Sequence, residues 1–138
     1  MRKKLLCLFP LIFLTLALFA CSDDNVNPIS ELDVSLIIEN EEVTTDTTYL
    51  TLTLANNSSR EIVFGDTFRV EFWDGEHWVD LMDESQVWNM IAYYLDQDES
   101  ETFIRDLTLL EANLEPGERH RIVIPFDNNE VYTEFEVY

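Results

Sequence analysis

Phe68-Arg69-Val70-Glu71-Phe72-Trp73-Asp74-Gly75-Glu76-His77-Trp78-Val79-Asp80-Leu81 is the stretch on which the fold turns. Phe68, Val70 and Phe72 alternate with charged residues, the period of two that a strand shows when one face is buried and the other wet. Asp74-Gly75 is the strongest short hairpin signal available, and Trp78 to Leu81 reads as the returning strand. A two-residue turn at Gly75-Glu76 and a four-residue loop from Asp74 to His77 give the same register. Trp73 then faces Trp78. Phe72 and Val79 share the core face, and both indoles lie on the opposite side beside Arg69, Glu71 and Asp80.

The same period recurs on either side of this hairpin. Leu32, Val34, Leu36 and Ile38 form one alternating run, and Leu50, Leu52 and Leu54 a second that stops at the turn signal Asn56-Asn57-Ser58-Ser59. Ile62 and Phe64 make a brief third strand. Downstream, Val87–Leu95 is apolar and aromatic and fits either a strand or one or two helical turns, with strand the preferred reading; the acidic turn 96–101 and a strand over Thr102–Leu107 follow. Leu114-Glu115-Pro116-Gly117 turns the chain into an alternating run at His120, Ile122 and Ile124, and Val131, Thr133, Phe135 and Val137 close it. Seven to eight short strands separated by turns predict an all-β protein, an antiparallel sandwich of two sheets packed face to face.

The residues Leu52-Thr53-Leu54-Ala55-Asn56-Asn57-Ser58, Gly65-Asp66, Val70-Glu71, Gly75 with Trp78-Val79, and Ile91-Ala92-Tyr93-Tyr94-Leu95 resemble a bacterial immunoglobulin-like domain family, as do Leu114-Glu115-Pro116-Gly117-Glu118, Arg121-Ile122-Val123 and Glu134-Phe135. The resemblance covers Tyr49 to Val137 and implies an immunoglobulin-like fold and an extracytoplasmic binding or spacer module. It brings no catalytic residues. Leu114 to Ile122 is also similar to the corner of fibronectin type III domains, with His120 where those domains carry a tyrosine.

Ahead of the sandwich the chain has a different character. Met1-Arg2-Lys3-Lys4 is basic, Leu5 to Leu18 is almost wholly apolar, and the chain turns polar at Ser22-Asp23-Asp24. That is the anatomy of a secretory signal, and the apolar run falls short of a comfortable membrane span. Leu18-Phe19-Ala20-Cys21 resembles the lipobox of bacterial lipoproteins, which implies cleavage before Cys21 and a diacylglycerol thioether on it. The expected organisation is a signal peptide at 1–20, a lipidated tether at 21–31 and the sandwich at 32–138. Asp23-Asp24 looks like the export tag of lipoproteins displayed on the outer face of the outer membrane, so lipid-anchored, cell-surface display is the expected address.

Loss of the leader removes three of the eight basic residues, leaving five arginines, no lysine and twenty-eight acids, a net charge near −23. Nothing in such a chain neutralises a phosphate backbone, so nucleic acid is excluded as a partner. Neither cysteine remains to form a disulfide, and the two histidines, His77 and His120, are too few and too separated for a conventional zinc site. No Gly-x-Ser-x-Gly elbow and no glycine-rich phosphate loop occurs. The expectation is therefore a non-enzyme without cofactor or metal, and 96–101 lacks the glycine a calcium loop needs. The leading functional expectation is an interaction or spacing module at the bacterial envelope. The alternatives are a carbohydrate-binding accessory protein and a hydrolase inhibitor.

Trp73 and Trp78 are the candidate ligand-binding residues. An indole pair across strands contributes about 0.2–1 kcal/mol to a hairpin. That clasp is the favoured reading; the alternative is a platform for a glycan or a protein partner, since indoles concentrate in binding hot spots. The Val87–Leu95 segment, whose Trp88, Tyr93 and Tyr94 also need a surface to cover, is expected to lie over both indoles.

Overall fold

The computed structural model describes residues 32–138. The expected signal peptide, Cys21 and the whole of the expected tether lie outside the described residues. Nine strands follow one another: β1 (Val34–Ile38), β2 (Tyr49–Asn56), β3 (Ile62–Gly65), β4 (Arg69–Trp73), β5 (Trp78–Asp80), β6 (Ala92–Leu95), β7 (Ser100–Asp106), β8 (Arg119–Phe126) and β9 (Asn129–Glu136). They form two antiparallel sheets. One runs β1-β2-β7; the other is built around β8, which pairs with β9, β4 and β3, with β5 and β6 at the outer edge. The all-β sandwich expected from the alternation is thus observed, with short edge strands bringing the count to nine.

Alternation explains the core. Leu50, Leu52 and Leu54 of β2 are completely buried and face Ile62, Val70, Ile122 and Ile124 of the other sheet in one apolar cluster. On the wet side of the smaller sheet, Thr53 and Thr102 share a 2.9 Å hydroxyl contact across β2 and β7.

β3 and β4 lie in series along the same side of β8. Four residues lie between Phe64 and Arg69, against two between their partners Phe126 and Val123, so the β3–β4 line carries a bulge. Pro125 sits on β8 where the partner changes, and a residue without an N–H suits a gap in the ladder. Gly65 lies in the bulge because the chain crosses it closely: a Cβ there would stand 2.8 Å from the Ile91 carbonyl oxygen.

That crossing corrects the reading of Val87–Leu95. Only Ala92–Leu95 is strand, paired with β3. The chain first reaches towards the other sheet through the Met82–Leu110 bridge and then returns over Gly65, so it cannot pair continuously. Trp88 packs edge-on against Phe68 at 5.2 Å, while Val87 and Met90 stand in water.

His120 occupies the tyrosine position of the fibronectin-like corner and is fully buried. Its ring stacks on Phe135, with centroids 5.5 Å apart, and Nδ1 lies 3.1 Å from the Glu118 carbonyl oxygen. A carbonyl only accepts, so in the neutral ring Nδ1 carries the proton. Burial holds the ring below its ordinary 6.5, with the Glu118 carbonyl and carboxylate pulling the other way. The unfolded chain therefore takes up a proton near pH 6.5 that the folded chain refuses, and stability falls as pH drops below that value. Thermal melts of wild type and His120→Gln between about pH 7 and 5 should show this slope in the wild type and its loss in the variant.

Candidate functional site

The hairpin forms in the expected register, with Glu71 opposite Asp80, Phe72 opposite Val79 and Trp73 opposite Trp78. Its loop is closed by the Asp74 side chain, whose Oδ1 accepts from the backbone N–H groups of Glu76 at 2.8 Å and His77 at 2.7 Å. Those two donors hold the Asp74 carboxyl below the usual carboxylate range. Gly75 supplies the positive φ of 104° that the loop requires. Phe72 packs on the core as expected. Val79, expected beside it, is 37% exposed, because β5 ends its sheet among the described residues.

The indoles meet at 5.4 Å between ring centroids, tilted by 59°. They are half-buried, but not by Val87–Leu95. That segment lies alongside β3 and Phe68, at the other end of the β3–β4 line from the hairpin turn. What covers the indoles is a pair of arginines from β8. The Arg121 guanidinium sits 4.4 Å from the Trp78 centroid and 4.9 Å from that of Tyr132; Arg119 sits 5.4 Å from Trp78 and 5.9 Å from Trp73. Register accounts for this arrangement. Glu71 pairs with Arg121 and Arg121 with Glu134, so the outward positions of β5, β4, β8 and β9 line up as rows across the sheet.

Carboxylates lock the arginines in place. Arg121 Nε donates to Glu71 Oε2, and Arg69 Nε donates to Glu71 Oε1 at 3.1 Å. Arg69 also clasps Glu130 with two bonds of 2.8 and 3.0 Å, and Arg119 clasps Glu134. The bond to Arg69 holds Glu130 below the usual carboxylate range. Glu71 was expected as an exposed rim residue. It faces outward but is buried, because Arg69 and Arg121 close over it.

The result is a pre-ordered face of aromatic rings, guanidinium groups and carboxylates. Trp73→Ala removes a ring pair and the Arg119 contact, so it should lower stability by about 1–3 kcal/mol. Urea denaturation measures that loss directly. Arg119 and Arg121 were not identified as part of the site by sequence reasoning. Their outward parity on β8, opposite the indoles, was the available signal.

Among the described residues, no three His, Cys, Asp or Glu side chains converge to hold a metal ion. The acidic turn 96–101 is shaped by Asp98 at φ 61°, whose N–H donates to the Asn56 carbonyl. His77 is exposed in the hairpin loop, far along the chain from the buried His120.

Comparison with known proteins identifies a family. Residues 30–136 match the family model of a bacterial Ig-like domain. No curated protein matches the chain. Among solved structures, the archaellum periplasmic stator protein FlaG from Sulfolobus acidocaldarius aligns at 16% identity and a TM-score of 0.45, over 75% of this chain and 100% of that one. The Pseudomonas fluorescens alkylpurine DNA glycosylase AlkC bound to DNA containing an abasic site analog aligns at 14% identity and 0.43, over 77% of this chain and 30% of that one. Beta-glucosidase from Listeria innocua in complex with gluconolactone aligns at 16% identity and 0.37, over 78% of this chain and 16% of its own. Likenesses this distant carry nothing about ligand or activity.

Proposed function

We propose that this chain, which belongs to the bacterial Ig-like domain family, is a lipid-anchored, non-enzymatic module that mediates protein interaction or spacing at the bacterial cell surface. The observation that carries the reading is the outer face of β5, β4, β8 and β9. Three of the five arginines in the described residues stand there with both hairpin indoles and Tyr132. Trp, Tyr and Arg are the residue types that dominate binding hot spots. Holding them in place before a partner arrives lowers the ordering cost of association.

The carbohydrate reading is the second one. A sugar ring stacks on an open indole face, and here Arg121 lies 4.4 Å from the Trp78 centroid. Arg119 and Arg121 would have to swing aside and surrender their carboxylates, which disfavours a glycan as first ligand. No observation favours a hydrolase inhibitor.

Anchor and address follow from the leader. Lipid on Cys21 would hold the domain at the outer membrane, since each buried methylene contributes about 0.8 kcal/mol and several chains anchor firmly. Cys21→Ser should abolish labelling by palmitate and leave the protein uncleaved or soluble; continued labelling would sink the anchor. Protease added to intact cells should remove the domain, and full protection would place it in the periplasm instead.

A further inference from the structure

We infer that the outer edge of β6 docks an extended, basic and apolar segment of a partner protein, added as a further strand beside Ala92–Leu95. The inference rests on the interaction-module reading and uses a different surface from the indole face. β6 pairs with β3 on one side only. Among the described residues its other row of backbone N–H and C=O groups has no strand partner. Around this edge apolar side chains stand in water: Met90 is 101% exposed, Val87 86%, Tyr94 67% and Ile104 of neighbouring β7 60%. Proteins ordinarily blunt such an edge with lysine, proline or an inward charge. Residues 87–95 contain no charged residue and no proline.

Charge identifies the occupant. Asp96, Asp98 and Glu99 form the turn that leaves β6, and Glu101 follows on β7. Among the described residues none of these four has an ion-pair partner, and Arg60, whose carbonyl shares the Asn56 amide with those of Leu95 and Asp96, is bound to Asp127 at 2.9 Å. Partial desolvation and the neighbouring Asp96 carboxyl hold Glu61 above the usual carboxylate range, a sign of surplus negative charge at this end of the sheet. A second copy of the chain would bring the same acids against them. A segment alternating apolar and basic residues satisfies both features: its backbone completes the ladder, its apolar side chains cover the exposed patch, and its cations meet the turn.

The test is hydrogen–deuterium exchange on the full chain with an eight-residue peptide of alternating valine and lysine. Exchange should slow across Ile91–Leu95. N-methylation of alternate peptide amides should weaken the effect at least about tenfold, the equivalent of one or two lost backbone hydrogen bonds. A valine–glutamate peptide should have no effect. Tyr94→Lys, at a water-exposed side chain, should abolish the slowing, whereas Trp73→Ala should leave it. Slowing that survives N-methylation, or that spreads over the acidic surface, overturns the inference. Slowing that Trp73→Ala removes moves docking to the indole face, which overturns the inference but leaves the module reading. Protection of β6 that rises with protein concentration alone puts a second copy there and also overturns it.

Discussion

Asn56→Ala is expected to cost about 3–5 kcal/mol, a large share of the roughly 5–15 kcal/mol that keeps an ordinary domain folded. Asn56 ends β2 with no exposed surface. Its Nδ2 shares two protons among three carbonyl oxygens: Arg60 at 2.8 Å, Leu95 at 2.9 Å and Asp96 at 3.1 Å. Its Oδ1 accepts from both the backbone and the hydroxyl of Ser58. The backbone adds bonds to Glu99 and from Asp98. One side chain thus ties the β2–β3 turn to the β6–β7 turn, across the two sheets. Alanine leaves these buried carbonyls without a donor, and aspartate would be worse, since a carboxylate would face three carbonyl oxygens. Urea midpoints of the two variants measure the effect; a loss below about 1 kcal/mol for Asn56→Ala would mean that the clamp is not holding the turns together.

Arg105→Ala is expected to cost about 3 kcal/mol, and Arg105→Met distinctly less. Arg105 belongs to β7 in the smaller sheet but reaches Gly65 on β3 in the larger one, where Nη2 donates to the carbonyl at 2.6 Å. Its guanidinium lies 4.2 Å from the Phe103 centroid and 5.9 Å from that of Phe68. Burial pushes the guanidinium below its ordinary value, while Asp66 and Tyr93 pull it back up. Alanine removes the bridge, the ring contacts and the volume. Methionine keeps most of the volume and removes a charge that was expensive to bury. Equal losses in a calorimetric comparison would show that the charge, not the packing, holds the sheets together at this point.

Asn56 and Arg105 mark where sequence reading stopped. Asn56-Asn57-Ser58-Ser59 is a turn signal by composition, and a turn does follow. A fully buried asparagine with all its bonds satisfied looks no different from an exposed one until the partner loops are placed. Arg105 sits on the parity that alternation assigns to the core, between Phe103 and Leu107. Its charge hid a position whose period was legible. Where alternation was clean, as in β2 or the Trp73–Trp78 hairpin, both strand and register could be read, because a one-residue slip would expose an entire apolar face. Val87–Leu95 failed for the opposite reason: an apolar run with no period fixes neither its strand nor the surface it covers. The indoles were placed correctly on the outer face. Their cover was missed, because it depends on which strand lies beside β4 and so on the pairing of β8, some fifty residues away.

The arginine-capped indole face is the proposed contact surface, and Arg119 offers the cleanest way to disturb it. Its pair with Glu134 is exposed on both sides, at 55% and 43%, so removing it should change stability by less than about 1 kcal/mol. The decisive measurement is photocrosslinking on intact cells from a reactive residue at Glu76, in the exposed hairpin loop, with and without Arg119→Ala. One protein adduct of discrete mass in the wild type, lost in the variant, is the predicted result. Absence of any adduct, or an adduct that Arg119→Ala leaves intact, would contradict a partner docked on the indole face.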